Sequence, residues 1–489
     1  MTLRVRDASL FVTNMRTRIP FEYGMSRLTA LPHLFVRVDL DLDGEQGQGV
    51  SADGLAPGWF TKDPDKTYHQ EIREMCRVIS TAVDRLVGME ASPDPFTCWH
   101  RLYKKQMSWG RDRGFPDLLT NFGISLAERA MLDAFCRIKD VPFHRVILDN
   151  LAGIQLGHIH EELSGTAPSD WLDGTPRANL RVRHTVGLSD PLTSDEAGGV
   201  DRPDDGLPVT LEENIDTYDL THFKIKIDDD RRAALDRLRR ISDLLGTEEG
   251  SFAFSLDGNE SFSEMDAFRG FWEDLKSDDQ LRSFLRAGLL FVEQPLERDV
   301  LNDAGRGDPI NWSDRPPLII DESDANLESL PQALDQGYHG TSHKNCKGVF
   351  KGIANRCLVA CKNQKEAGNP YRMSAEDLSN VGPVALLQDL SVIATLGFRH
   401  AERNGHHYFP GLSELPEDVQ NSMLQQHGEL YREHHSANGT FPSLDIRNGN
   451  IALQGVNDAP FGYRVDLDPE RFTPLPDWSF DSLGLEPSG

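Results

Sequence analysis

Six charged residues stand out because each closes a short apolar segment. Lys224 and Lys226 lie in HFKIKI (222–227), Asp257 in FAFSLD (252–257), Glu293 in LLFVEQ (289–294), Asp321 in PLIID (317–321) and Lys344 in GTSHK (340–344). From Lys226 onward they follow at gaps of 31, 36, 28 and 23 residues. A closed barrel of eight strand–helix units and ~250 residues spends roughly 31 residues on each unit. Each charge therefore falls about one unit after the last, and a barrel aims the C-terminal ends of its strands into one cup. Three carboxylates meeting at a point repel one another unless a cation lies between them. Oxygen ligands in small number suit Mg²⁺, which keeps positions open for water and substrate. Asp257, Glu293 and Asp321 are thus the candidate metal ligands. Taken singly, each reads equally as a helix N-cap or a surface charge; three in register favour the metal.

The lysines carry the complementary chemistry. Lys224 and Lys226 alternate with Phe223, Ile225 and Ile227, so both share one strand face. On an edge strand that face would meet water. A barrel has no edge, so the apolar face meets the helices and the lysines point inward. An inward lysine beside another lysine and a divalent cation is expected to have a lowered pKa. A neutral amine is then available as a general base. Lys344 falls two to four strands further round and can serve the opposite face of a bound substrate. Lys347 and Lys351 nearby also fit an ordinary basic surface.

The elements that must position these residues follow from the pattern. From about residue 180, apolar strands alternate with amphipathic helices, which implies a parallel sheet covered by helices. The helix at about 230–245 presents Leu235, Leu238, Ile241 and Leu245 on one face, with Gly246 just beyond its end. Helical stretches are expected at 262–276 and 326–336. VRHTVG (182–187) reads as the first barrel strand, YRMS (371–374) as the seventh and 398–403 as the eighth. Residues 189–208 and 404–415 read as loops at the barrel mouth. Thr210 with Glu213 gives a capping box for the next helix. Before the barrel, residues 1–50 read as strands, with Leu34, Val36 and Val38 alternating against Phe35, Arg37 and Asp39 and a turn at Asp43-Gly44. Helices are expected at 66–90 and 124–139. The fold class is α/β: a (β/α)8-type (TIM) barrel over 151–415, an α+β domain over 1–150, and a segment over 416–489 that packs back on that domain.

Composition sets the outer limits. The chain has 489 residues, enough for two or three domains. Its 51 basic and 78 acidic side chains leave a net charge of −27, which repels phosphate backbones and argues against nucleic-acid binding. No stretch reaches the ~20 apolar residues of a membrane span, and the start does not read as a signal peptide. The six scattered cysteines are too sparse for a disulfide scaffold. A cytoplasmic protein is expected.

The motifs FKIKI, SLDGNE, FVEQPL, IIDES and SHKNCKG, in this order and spacing, resemble the enolase superfamily and, within it, the muconate-lactonizing-enzyme-like subgroup (mandelate racemase/muconate lactonizing enzyme family). RIPFEYG and DGEQGQG are similar to the family's capping domain, and SLAERAMLDAF to its link into the barrel. The resemblance implies that a base removes the proton α to a substrate carboxylate while Mg²⁺ stabilises the enediolate. It implies Asp257, Glu293 and Asp321 as metal ligands, Lys226 as base on one face and Lys344 as acid or base on the other. Lys224 would support Lys226 and approach the substrate carboxylate. Asn259 and Glu322 fall where the family tunes its site, and Phe21, Tyr23 and Met25 where its capping loop closes. His406 and His407 follow the last strand and could contact substrate. The seventh strand ends in Ser374-Ala375-Glu376-Asp377, without a histidine, which argues against the mandelate-racemase subgroup. The chain is long for the family, so 92–118, 189–208 and 404–435 read as inserted loops.

The expected function is Mg²⁺-dependent racemisation, epimerisation or cycloisomerisation of a small-molecule carboxylate, by an enzyme that is a homo-oligomer. A dehydratase acting by β-elimination on an acid sugar is the nearest alternative. A barrel glycosidase would use two of the carboxylates without a cation. A non-catalytic barrel would keep the metal as a structural staple.

Overall fold

The computed structural model describes every residue except 24–25, 200–201, 302–309, 311, 369, 378, 438 and 486–489. It begins with an antiparallel sheet of β1 (Leu3–Tyr23), β2 (Ser26–Leu42) and β3 (Glu45–Gly54). Asp43 and Gly44 both take positive φ (55° and 93°), the two-residue turn that matches the twist of a hairpin. Phe35 is buried as fully as Leu34 and Val36, so this strand is not half-exposed. The cause is the C-terminal tail, whose Phe472 stacks on Phe35 at 4.7 Å.

Of the helices that follow, the short α1 (Pro57–Phe60) packs against α2 (Tyr68–Val87), α3 (Pro95–Arg111) packs against α2 and α4 (Asp117–Lys139), and α2 and α4 pack on this sheet. The span 92–118 is therefore not a loop. Asp94 accepts the Thr97 amide at 2.6 Å and Pro95 opens the helix, where its missing N–H costs nothing. Helix α4 lies between sheet and barrel and is buried on all sides through most of its length. Gly47 and Gly49 let it approach: a Cβ on Gly49 would lie 2.2 Å from Ala134 N and 2.3 Å from Ala130 O. At the other side of α4, Glu128 accepts the amides of Val349 and Phe350 at 3.0 and 2.7 Å. It thereby satisfies two of the free amides at the N-terminus of a barrel helix.

A six-residue helix, α5 (Phe143–Leu148), leads towards the barrel. Its wall, among the described residues, is eight parallel strands: β4 (Asn179–Val186), β5 (His222–Lys226), β6 (Ala253–Asp257), β7 (Leu289–Glu293), β8 (Leu318–Ile320), β9 (Gly340–His343), β10 (Arg372–Ala375) and β11 (His400–Arg403). They pair in chain order, with β11 beside β4. A parallel bridge between Glu376 and Glu402 joins the remaining two edges and closes the ring. The expected helices are present as α6 (Leu211–Tyr218), capped by Thr210 and Glu213, then α7 (Arg231–Leu245), α8 (Met265–Ser277) and, after a further helix α9 (Asp279–Gly288) that the pattern does not predict, α10 (Ser329–Asp335). Next come α11 (Val349–Lys365) and α12 (Ala385–Thr395). The span 404–435 is also ordered, holding α13 (Gly405–Tyr408), α14 (Glu417–Gln426) and part of the hairpin β12 (Tyr431–Ser436) and β13 (Gly439–Leu444). Beyond it β14 (Asn450–Ala452) pairs with barrel strand β4, and β15 (Thr473–Pro474) pairs with β1. The tail thus touches barrel and cap alike. No helix among the described residues is long and apolar enough to cross a membrane.

Candidate active site

The strand ends deliver their charged side chains to one buried place. Lys224 Nζ hydrogen-bonds Glu402 at 2.7 Å and Glu376 at 3.1 Å, and lies 2.9 Å from Asp257 and 3.2 Å from Glu293. Lys226 donates to Asp257 Oδ2 at 2.6 Å and to Asn259 Oδ1. Lys344 reaches Asp321 Oδ2 at 2.8 Å and Glu376 Oε1 at 2.6 Å. Lys347, one turn on, donates to Asp321 Oδ1 at 2.9 Å. All six residues singled out from their spacing are buried and belong to this cluster.

The electrostatics follow from crowding. Burial opposes the charge on Lys224, but Asp257, Glu293 and Glu402 outweigh it and hold the amine well above its ordinary value. The lowered pKa expected beside a second lysine and a divalent cation does not arise from the protein groups alone at Lys224, where four carboxylates crowd the amine. Burial raises Asp321, yet Lys344 and Lys347 overcome this and keep it well below the usual carboxylate range. Asp257 goes down to about 2: burial acts upward and the two lysines of β5 prevail. Glu293 goes the other way, pushed up to about 6 by burial, with Lys224 only partly offsetting it. Glu322 rises to about 8 through burial and the neighbouring Asp321 and Glu260 charges.

Glu293 is the informative member. Among the described residues neither of its buried carboxylate oxygens accepts a hydrogen bond, although Lys224 is in ion-pair range. Carboxylate oxygens of Glu293, Asp321 and Glu376 come within 4.8 Å of one another. Buried, under-satisfied oxygens at this separation fit a hard divalent cation. Asp257 is not in that closest group, its Oδ2 being taken up by the two lysines of β5. Spacing put Asp257 with Glu293 and Asp321; it did not anticipate Glu376 or Glu402. Both are reached by the same rule, a charge at the end of a barrel strand, applied to β10 and β11.

A cavity of about 60 Å³ opens onto the cluster, room for a few water-sized groups. Lys224, Lys226, Lys344, Glu376, Glu402 and Asn259 line its barrel side. Phe21, Leu28, Leu31 and Trp59 from the cap form an apolar roof. Asn259 also donates to Glu322 at 3.0 Å, linking Lys226 to that buried acid. Phe21 stacks on Tyr408 at 4.1 Å. The side chain of Tyr23 and the whole of Met25 lie outside the described residues. His406 and His407 do not line this cavity. They are buried apart from it: His406 pairs with His184 at 3.2 Å and His407 with Asn214 at 3.3 Å. Burial drives His407 down to about 3 and His406 well below its usual value, and neither ring is among the residues that line the cavity.

No protein-family model matches this chain, and no curated protein matches it. Solved structures do. A mandelate racemase/muconate lactonizing enzyme from Bordetella bronchiseptica RB50 has a TM-score of 0.56 at 14% identity, over 95% of this chain and 98% of that one. A dipeptide epimerase from Enterococcus faecalis V583, complexed with Mg and the dipeptide L-Leu-L-Tyr, has a TM-score of 0.55 at 11% identity, over 92% and 99%. An enolase from Bradyrhizobium, complexed with magnesium and mandelic acid, has a TM-score of 0.50 at 12% identity, over 93% and 98%. Capped barrel and nearly complete mutual coverage agree: this chain has the fold of the enolase superfamily and is structurally similar to its mandelate racemase/muconate lactonizing enzyme members.

Proposed function

We propose that this chain is a Mg²⁺-dependent enzyme that removes the proton α to a carboxylate and returns one to the opposite face, as a racemase or epimerase. One observation carries the reading. In a closed ring of eight strands, β5 and β9 stand four places apart, on opposite walls. Lys226 and Lys344 therefore enter one cavity from opposite sides.

Asp257, Glu293 and Asp321, at the ends of three consecutive strands, would hold the cation, with Glu376 beside them. Held there, the ion supplies positive charge to the substrate carboxylate as electron density builds on it. The rest is the work of side chains. Lys226 takes the α-proton on its amine nitrogen; the C–H bond breaks and its electron pair moves into the carboxylate. Lys344, as an ammonium, gives a proton to the other face of the α-carbon, forming a new C–H bond with inverted configuration. The reverse reaction exchanges the two roles. Asn259 orients Lys226, and Lys224 keeps the surrounding acids ionised and adds charge near the substrate carboxylate. The apolar roof excludes water and admits a carboxylate with an apolar substituent, which a polyhydroxylated acid sugar does not provide. The Mg and dipeptide held by the Enterococcus faecalis neighbour support this reading of the cation and of the substrate class.

Solvent deuterium exchange at the α-carbon, across a panel of small carboxylates with Mg²⁺, tests it. Wild type is expected to exchange at least one apolar acid. Absence of exchange, or undiminished exchange in Lys226→Ala, contradicts the assignment.

A further inference from the structure

The cap sends one aromatic ring into the machinery. Trp59, on α1, is almost wholly buried, lines the cavity and places its ring centroid 4.0 Å from Lys344 Nζ. A cation over an indole face is held by the ring quadrupole, more strongly when water is excluded. Among the described residues Trp59 Nε1 has no hydrogen-bond partner, so none of them anchors the indole N–H in place of that contact.

What anchors the ring is the backbone. A four-residue helix leaves its C-terminal carbonyls unsatisfied. Arg298, from the loop after β7, donates to Trp59 O at 3.0 Å and to Phe60 O at 2.9 Å. The same guanidinium is held by Glu260, from the loop after β6, at 2.7 and 2.8 Å, and the Arg298 amide meets Glu260 Oε1 at 2.8 Å. Lys62 approaches that carboxylate at 3.6 Å. Two barrel loops thus clip the turn that carries the indole.

We infer that Trp59 is a positioning residue for Lys344, fixing its amine on one face of the substrate, and that Arg298, set by Glu260, seats Trp59. This rests on the function proposed above. It makes cap seating and the competence of one lysine, but not the other, a single event. A roof residue that only excludes water would serve both lysines alike.

The test compares the two enantiomers of an acid that wild type exchanges. Lys344→Met identifies the enantiomer whose α-proton faces Lys344. In Trp59→Leu, exchange of that enantiomer is expected to fall by roughly 10- to 30-fold more than exchange of its mirror image. Trp59→Phe, which keeps a ring, restores most of the ratio, and Arg298→Met disturbs it in the same sense. An equal loss for both enantiomers, or a ratio that Phe does not restore, overturns the inference. A second readout needs no turnover: the indole N–H resonance of Trp59, assigned with Trp59→Phe, is expected to shift in Lys344→Met. If wild type exchanges no acid, the functional reading fails and this resonance still decides the contact; an unmoved resonance overturns it.

Discussion

Glu376 and Glu402 pair through their backbones where the barrel closes, and both carboxylates bind Lys224, at 3.1 and 2.7 Å. The seam of the ring and the centre of the site are therefore one place. A lysine that also lies within 3.2 Å of Asp257 and Glu293 neutralises acids that could not otherwise be buried together.

Removing that charge should be costly. Lys224→Met, without added cation, is expected to lose about 3–5 kcal/mol of stability, because it strands buried carboxylates rather than replacing the whole network. Urea unfolding at neutral pH measures it. A loss below about 1 kcal/mol would mean that the acids find other partners.

Metal affinity separates the carboxylates. Asp257→Asn, Glu293→Gln and Asp321→Asn should each weaken Mg²⁺ binding by more than the roughly 10- to 100-fold that loss of a supporting residue costs. Glu376→Gln should fall within that supporting range. Calorimetric titration reads all four. The reverse order for Asp257 and Glu376 would make Glu376 the third ligand, as its proximity to Glu293 and Asp321 allows.

Glu128 links cap to barrel and carries a pH signature. Burial pushes its carboxyl up to about 7, above the ordinary 4.5, despite the two amides it accepts. The folded state then holds a proton that the unfolded state has lost, so this residue's contribution to stability falls as pH rises from about 4.5 to about 7 and is level above that. The stability of wild type relative to Glu128→Gln should drop across that window, by up to roughly 3 kcal/mol. Urea unfolding of both proteins at pH 4.5 and 7.5 measures it. An unchanged difference would contradict the raised value.

The two glycines of β3 should differ. A Cβ at Gly49 meets the backbone of α4, whereas one at Gly47 meets the Ile138 side chain at 2.5 Å. Side chains yield and helix backbones do not. Gly49→Ala is expected to cost about 1–3 kcal/mol or more, and Gly47→Ala less, in thermal or urea unfolding. Equal costs would show that α4 can shift.

The barrel was legible because regular spacing and inward alternation are periodic signals. Lys226, Asp257, Glu293, Asp321 and Lys344 each mark a strand end. Glu376 follows the same rule, but the end of the seventh strand, Ser374-Ala375-Glu376-Asp377, is read only for the histidine it lacks, and its carboxylate is passed over. Glu402 is the last residue but one of β11, with Arg403 after it, so no carboxylate closes that strand. Helix α3 was hidden by Asp94-Pro95, which reads as a chain breaker yet is an N-cap followed by a proline at the first helical position. Trp59 has no sequence signature at all. It is brought to Lys344 by the packing of cap on barrel, and no spacing between residues 59 and 344 encodes that. His406 and His407 misled because a histidine pair at a barrel mouth suggests chemistry, whereas here each ring packs against other buried groups.

Diffraction from crystals grown with Mn²⁺ and a slowly reacting apolar carboxylate tests the central claim most directly. The account predicts one anomalous peak among Asp257, Glu293 and Asp321, with the acid bound at it and its α-carbon between Lys226 Nζ and Lys344 Nζ. A peak elsewhere, no peak, or an acid that presents its α-carbon to neither lysine would contradict it.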